Sequence, residues 1–483
     1  MEIAHALLKL IAVVVATASK ELSRGGGRAR SGNSDPPALV FGDDITGLAV
    51  LRALGRRGVE VYGAGTQRKS VVHSRWYRPL PGEGIDETSD GERLAAYLRT
   101  LPFPKAVLFP CSDRWALAVA SLPEDVADTY ASTIAPLDVL RVLIDKGLFA
   151  RAVAEHDVPA PRAVRVADAG DLDAVEDDEL PSFFLKPMNS QLFGERFGVK
   201  ALSLESRARA VELLGRMVDE GLAVLLQEYV PGPPTAHVFL DGYVDRCGVM
   251  GACLARRRLR MYPRKFGNST LSVTIPLTEA ADAVESLCRL FDGLGYVGLF
   301  DAEFKQDSRD GRFKILEVNA RPWWQLELAS ASGLDVCGMA FQDALGRPIP
   351  PVPEYRVGRT WVHPLPDLRA WWDTRAESGV APGPLRAWFG GANAVFSWDD
   401  PEPGARELVR VGERLAAEGR SLARARLSAQ PRVSGQRRDT GAQPDWGMDD
   451  DLARSLVSLL RRRPRAPGSS TATSPGNTRG STS

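Results

Sequence analysis

Apolar and polar positions fall into recognisable periods over most of the chain. Ala38-Leu39-Val40-Phe41 is a short continuous apolar run, Leu48-Ala49-Val50-Leu51-Arg52-Ala53-Leu54 has helical apolar spacing, and Val59-Glu60-Val61-Tyr62-Gly63 reads as a second strand. This order predicts a βαβ unit. A later strand, Ala106-Val107-Leu108-Phe109, ends in Pro110-Cys111-Ser112-Asp113. Ser112 and Asp113 then sit at a strand's carboxyl end, where open α/β sheets bind ligands, although a satisfied turn reads the same way. From Ala135 to about Ala340 helical and strand patterns alternate, and a turn-rich joint, GRPIPPVP, follows at 347–354.

The pattern divides the chain into an N-terminal segment and Gly/Arg/Ser-rich linker (1–37), an open α/β domain (38–134), a larger mixed body (135–346), a small Trp-rich C-terminal unit (347–427) and a tail (428–483). The C-terminal unit holds Trp361, Trp371, Trp372, Trp388 and Trp398. The tail is rich in Ser, Gly, Pro, Arg and Thr and is expected to be disordered apart from a short helix near 449–461. The fold class is α/β and α+β.

Composition narrows the function. With 483 residues, 44% of them hydrophobic, the chain can bury two or three cores. Its 61 basic and 61 acidic residues cancel, so no global field draws it to nucleic acid. The five cysteines (Cys111, Cys247, Cys253, Cys288, Cys337) have neither CxxC pairs nor zinc-ligand spacing and read as reduced thiols of a cytoplasmic protein. The apolar run Leu10 to Ala18 is too short for a transmembrane span and reads as a surface helix or a misassigned start more than as a signal peptide. The loop Gly42-Asp43-Asp44-Ile45-Thr46-Gly47 departs from GxGxxG, which disfavours a nicotinamide site.

The most informative chemistry lies in LFDAEFKQDSRDGRFKILEVNARPWW, residues 299–324. Two strand-like runs flank Asp310-Gly311, a hairpin signal. Alternation puts Asp301, Glu303 and Lys305 on one face and Glu317, Asn319 and Arg321 on one face of the partner. A turn centred near Asp310 sets Glu303 opposite Glu317, and a cation between them would relieve the repulsion. Two carboxylates with the Asn319 amide oxygen are a hard ligand set suited to Mg²⁺. A solvated acidic strand face has the same sequence signature.

Two lysines precede the hairpin. Lys186 ends the apolar run Phe183-Phe184-Leu185-Lys186-Pro187, where a bound phosphate would supply the anion that its burial needs. The polar loop 188–198, with Gly194 and Gly198, could fold over phosphates. Lys146 opens a helix, where dipole and ammonium together attract anions; taken alone it would be an ordinary surface lysine. The strand Ala223 to Val230, containing Gln227-Glu228-Tyr229-Val230, exits into Pro231-Gly232-Pro233-Pro234, a place where backbone groups could read an adenine edge. A plain edge strand is the alternative.

The order DK before a helix, FLKP, a glycine-containing loop, QEYVPG, DAEF and LEVNARP over residues 140–322 resembles the ATP-grasp superfamily. The segment Arg257 to Gly267, RRLRMYPRKFG, is similar to the RKLRxxPxxFG stretch of D-aspartate ligase-like carboxylate–amine ligases. The resemblance implies an ATP-grasp fold with an N-terminal pre-ATP-grasp domain, and ATP with Mg²⁺, or Mn²⁺ in its place, as cofactors. It implies that Lys146 and Lys186 contact ATP phosphates, that Gln227, Glu228, Tyr229 and Val230 form the adenine hinge, and that Glu303, Glu317 and Asn319 hold the metal. Arg321 would hold the transferring phosphoryl group or the substrate carboxylate, and Arg260 a carboxylate-bearing substrate. Pro233, Pro234 and Thr235 stand where many relatives carry a ribose-binding acid, so that contact is not expected here. The implied activity is amide formation through an acyl phosphate, with a small-molecule carboxylate and an amine as partners, no nucleic acid, and room for a homodimer. A non-catalytic nucleotide-binding regulator and a bicarbonate-activating carboxylase are the competing readings.

Overall fold

The structure is a computed structural model that describes residues 35–64, 69–187, 202–219, 224–264, 266–349, 354–378 and 391–411. The apolar segment at 10–18, the loop 188–198 and the tail with its expected helix lie outside the described residues.

A parallel four-stranded sheet comes first. Strand β1 (Ala38–Phe41) is buried along its length, helix α1 (Ile45–Arg56) follows, and β2 (Val61–Gly63) pairs with β1. Then come α2 (Gly91–Leu98), β3 (Ala106–Pro110), α3 (Asp113–Ala120) and β4 (Tyr130–Ala131), in the sheet order β2-β1-β3-β4. The β1–α1 turn is tight because Asp44 caps the helix, accepting from the N–H groups of Thr46 at 2.9 Å and Gly47 at 3.3 Å. A Cβ on Gly47 would sit 2.1 Å from the Gly42 carbonyl oxygen, so only glycine fits that approach. Ser112 caps α3 by accepting from Trp115 N–H at 3.3 Å and also donates to Glu87.

Helices α4 (Leu137–Ile144) and α5 (Lys146–Glu155) lead to an antiparallel sheet of β5 (Ala163–Val166), β6 (Phe183–Pro187), β7 (Leu202–Ser203) and β8 (Val224–Glu228). Its order is β5-β8-β6-β7, and α6 (Arg207–Asp219) packs its apolar side on the same core. The largest sheet follows, from β9 (His237–Val244), β10 (Met250–Tyr262), β11 (Asn268–Ile275), β12 (Gly298–Gln306) and β13 (Phe313–Asn319), with α7 (Ala281–Leu294) between β11 and β12. Helices α8 (Leu326–Ser332) and α9 (Val336–Ala344) close the body.

Residues 347–427, read as a small C-terminal unit, contribute two strands to the largest sheet. They supply β14 (Thr360–Val362), α10 (Pro364–Ser378) and β15 (Ala392–Asn393), which complete the order β13-β12-β9-β10-β11-β14-β15. Trp361 is fully buried in a core that also takes Val40 from β1, Leu48 from α1, and Leu326 and Phe341 from α8 and α9. Arg52 lies in the middle of α1, buried among apolar neighbours, and finds its counter-ion in this C-terminal stretch. It donates to Asp400 Oδ2 at 3.0 Å and to the Val395 carbonyl at 2.8 Å. A buried charge is tolerated only when paired in this way. Among the described residues no helix is long and apolar enough to cross a membrane.

Candidate active site

The β12–β13 hairpin pairs Asp301 with Asn319 and Glu303 with Glu317. Directly opposed residues of antiparallel strands point to the same face, so the two glutamates stand side by side. The register shifts immediately after Glu303, leaving Leu316 as a bulge. The turn is pinned by Asp307, which accepts from Lys314 Nζ at 2.8 Å and from Arg309, while Gly311 takes the positive φ of 75° that the reversal demands.

Glu303 is no solvated surface acid. His237 Nδ1 lies 2.6 Å and Arg258 Nη2 3.0 Å from its Oε1. Burial opposes its charge, but Arg258 and His237 outweigh that effect and hold the carboxyl well below its ordinary range. His237 in turn is held below the usual histidine range by burial, with Glu303 acting against it. Glu317 is more open, and Lys186 reaches it from β6 with Nζ 3.9 Å from Oε2. Asn319 Oδ1 accepts from Arg321 Nη2 at 3.1 Å, and its amide donates to Asp301 Oδ2 at 3.3 Å. Arg321 also donates from Nε to Asp113 Oδ1 at 2.7 Å, which ties the residues after β13 to the start of α3. Asp301 is held from behind by Arg256 at 2.8 Å, itself paired with Asp241 at 2.6 Å.

Lys146 stands at the first position of α5, behind the Asp145 cap. Burial is the main influence lowering it to about 8, and Lys186 adds to this, while Glu317 and Asp113 act the other way. These four side chains therefore converge. Two ammonium groups drawn together near a helix N-terminus form a site that wants a polyanion.

On the hinge, Gln227 and Glu228 end β8 and are buried. The Glu228 carboxylate is engaged by Arg162 N–H at 3.0 Å and Arg309 Nη2 at 2.5 Å, so its side chain is already committed. Tyr229 is exposed and donates its N–H to the Ser182 carbonyl at 2.7 Å; the core residue Val230 follows. Lys305 Nζ lies 4.4 Å above the Tyr229 ring, and Phe266 meets Tyr229 edge-on at 6.4 Å and Phe184 at 4.8 Å. Aromatic rings beside a cation are the kind of surroundings that a flat heteroaromatic base takes. Burial lowers Lys305 to about 8, and Arg258 adds to that effect.

Arg260 is placed elsewhere. Its buried guanidinium forks onto Asp367, Nε to Oδ1 at 2.8 Å and Nη2 to Oδ2 at 2.6 Å, and Thr270 donates to the same carboxylate at 3.0 Å. The fork expected for a substrate carboxylate is thus filled by the protein, and the arginine that meets the paired glutamates is Arg258. His237 and the ring pair Phe184 and Phe266 had no assigned role in the sequence reading. A single histidine after a Pro-rich turn carries no pattern, and the two phenylalanines lie in FFLKP and KFG without a spacing that marks them.

The donors suit a hard divalent cation. Among the described residues Glu303 takes its side-chain hydrogen bonds on Oε1 and Glu317 pairs with a distant lysine alone, and the Asn319 amide oxygen has two lone pairs of which Arg321 uses one. Among the described residues no cluster of three or more His, Cys, Asp or Glu forms a denser metal cage.

Comparison with solved structures bears on the whole arrangement. The chain superposes on the carboxyaminoimidazole ribonucleotide synthase of Aspergillus clavatus, complexed with ATP, with a TM-score of 0.51 at 13% identity, covering 68% of this chain and 82% of that one. The fold is that of the ATP-grasp enzymes. A second ATP-grasp neighbour is the biotin carboxylase domain of Hydrogenobacter thermophilus 2-oxoglutarate carboxylase, in complex with MgADP, ADP and bicarbonate, at TM-score 0.51 and 14% identity over 68% of this chain and 74% of that one. In sequence, the chain is 25% identical over 252 residues to the D-aspartate ligase of Enterococcus faecium (strain Aus0004), a match over 50% of this chain and 58% of that relative. The matched region thus spans less than two thirds of that ligase's length. No family model matches.

Proposed function

We propose that this protein is an ATP-dependent carboxylate–amine ligase that forms an amide through an acyl phosphate. The observation that carries the reading is the placing of Glu303 beside Glu317 on one sheet, facing Lys186 of another, with Asn319 and Arg321 next along the strand. In the proposed assignment Glu303, Glu317 and Asn319 hold Mg²⁺, Lys146 and Lys186 hold phosphate oxygens, and the 227–230 hinge with Phe184 and Phe266 receives the adenine. The metal, when bound, supplies neutralisation of the charge that builds up during phosphoryl transfer.

The chain's own residues do the rest. Arg258 and His237 keep Glu303 ionised and fixed in direction, so the carboxylate needs no rearrangement when a cation arrives. Asp113 and Asn319 hold the Arg321 guanidinium at the strand end, where it can take a substrate carboxylate or the moving phosphoryl group. Nucleophile and leaving group both belong to the substrates: the carboxylate attacks the γ-phosphorus, ADP leaves, and the amine captures the acyl phosphate with loss of phosphate. No protein nucleophile is required. The similarity to a D-aspartate ligase supports an amino-acid-like acid as the activated partner.

The experiment is phosphate release from Mg-ATP against a panel of amino acids, small carboxylic acids, amines and bicarbonate, with products weighed by mass spectrometry. Release that requires an acid and an amine together, and yields their mass less water, is expected. Glu317→Ala should lower turnover by at least about a hundredfold while the melting curve stays close to wild type. Near-normal product formation by that variant would sink the assignment.

A further inference from the structure

Three polar side chains beside the paired glutamates form one row across the largest sheet. Asp241 of β9, Asp301 of β12 and Asn319 of β13 are register partners in turn, so they lie on the face that carries Glu303 and Glu317. Asp241 is 1% and Asp301 6% exposed, and the wholly buried Arg256 donates to both, from Nε to Asp241 Oδ2 at 2.6 Å and from Nη2 to Asp301 Oδ1 at 2.8 Å. Apolar residues of the same volume often serve a core as well as buried acids and an arginine do. The row has its consequence at its outer end. Asp301 Oδ2 accepts from Asn319 Nδ2 at 3.3 Å, and Asn319 Oδ1 accepts from Arg321 Nη2 at 3.1 Å. Half a rotation about its last bond would leave the shape of the amide almost unchanged while exchanging an acceptor for a donor. Turned one way, Asn319 offers a cation a carbonyl oxygen; turned the other, it offers an NH2 group, which repels one. Both neighbours select the first orientation, because a carboxylate only accepts and a guanidinium only donates. Arg321 is also the group that takes a substrate anion in the proposed reaction, which draws it away from Asn319. Asp301 is held by Arg256 and stays.

We infer that Asp301 is a positioning residue, whose carboxylate, fixed by Arg256, orients the Asn319 amide so that Oδ1 faces the metal site. The inference rests on the reading that Glu303, Glu317 and Asn319 hold the divalent cation, and it adds the group that makes Asn319 a ligand. In Asp301→Asn the one remaining carbonyl oxygen is claimed by Arg256, and the new NH2 group meets Nδ2 of Asn319. The Asn319 amide then turns over and brings its own NH2 group to the metal side. Asn319→Asp has no amide to turn: a carboxylate presents an oxygen whichever way it lies, and it accepts from the NH2 group that Asp301→Asn introduces.

The test is a double-mutant cycle on the full chain, comprising the wild type, Asp301→Asn, Asn319→Asp and the two together. Mn²⁺ binding is followed by the fall of the free-ion electron paramagnetic resonance signal, while melting curves and ADP binding in EDTA report on the fold and the nucleotide site. Asp301→Asn removes one negative charge near the cation in both backgrounds, so the difference between backgrounds isolates the orientation of the amide. The fall in Mn²⁺ affinity caused by Asp301→Asn is expected to be at least about tenfold larger in the chain with Asn319 than in the chain with Asn319→Asp, the scale on which outer partners of metal ligands act. Equal falls in the two backgrounds, or no fall, with ADP binding intact, would overturn the inference and leave the metal site standing. A wild type that binds no Mn²⁺ would overturn the metal-site reading and this inference with it. A measurement on the wild type covers the case in which Asp301→Asn does not fold. In a chain labelled with ¹⁵N at asparagine, the side-chain amide signal lost in Asn319→Asp belongs to Asn319. At least one of its two protons should exchange with water at least about tenfold more slowly than in free asparagine. Exchange of both at the free rate would mean that Nδ2 is not bonded to Asp301, and would overturn the inference.

Discussion

At the scale of single residues, the site pairs buried charges with counter-ions of the chain's own and sets Lys146 near Lys186. Burial and Lys186 lower Lys146 from 10.5 to about 8. Below pH 8 it is charged both folded and unfolded. Between about 8 and 10.5 it is neutral in the fold but protonated in the unfolded chain, so its influence makes stability rise with pH across that window. Nucleotide affinity should move the opposite way, falling as pH rises past 8, because the neutral amine no longer attracts phosphate. Titrating Mg-ATP binding between pH 7 and 10 should show that fall, and Lys146→Met should weaken binding at pH 7 and reduce the slope above pH 8. Part of the slope would persist, since Lys305 also titrates near 8. At this scale the sequence was legible where a period applied. Alternation and the Asp310-Gly311 turn are enough to set Glu303 against Glu317, as the register has it. His237 and Arg258, which fix Glu303, come from β9 and β10, far away in sequence. Nothing local announces where such side chains will meet.

At the scale of elements, the arginine-rich strand β10 illustrates how one period can carry several jobs. Arg256, Arg258 and Arg260 are all buried, and each pairs with a different acid: Asp241 and Asp301, Glu303, and Asp367. A sequence reading sees three basic residues at alternate positions and a likeness to a substrate-binding stretch. Only the tertiary partner decides that Arg260 anchors α10 through Asp367, a residue nearly a hundred positions beyond β11. Asp367→Ala should therefore destabilise the protein by roughly 3–5 kcal/mol, since it strands a buried guanidinium. Urea unfolding would measure this. Loss below about 1 kcal/mol would mean that Arg260 is not held as described. The β1–α1 turn was more legible, because Asp44 and Gly47 have local roles, a cap and a close approach.

At the scale of the whole molecule, the first βαβ unit and the β12–β13 hairpin could be read from the chain, whereas the run of three strands β9, β10 and β11 and the way the parts share cores could not. The first sheet, α1, α8, α9 and Trp361 bury one another in a common core, and Arg52 of α1 reaches Asp400. Apolar spacing says that α1 is buried but does not say by what, and strands of only three and two residues are too short to mark the Trp-rich stretch as part of the largest sheet. The same sharing brings Asp113, at the mouth of the first sheet, onto Arg321 at the end of β13. In the proposed reaction the acid's carboxylate takes up the γ-phosphoryl group before the amine displaces phosphate. Once the panel has named the acid, that acid should be supplied with heavy oxygen in its carboxyl group and turned over with Mg-ATP and the amine. Transfer of one heavy oxygen from the carboxylate into the released phosphate is the expected result. Phosphate that carries none of the label, with product still formed, would contradict the acyl-phosphate account.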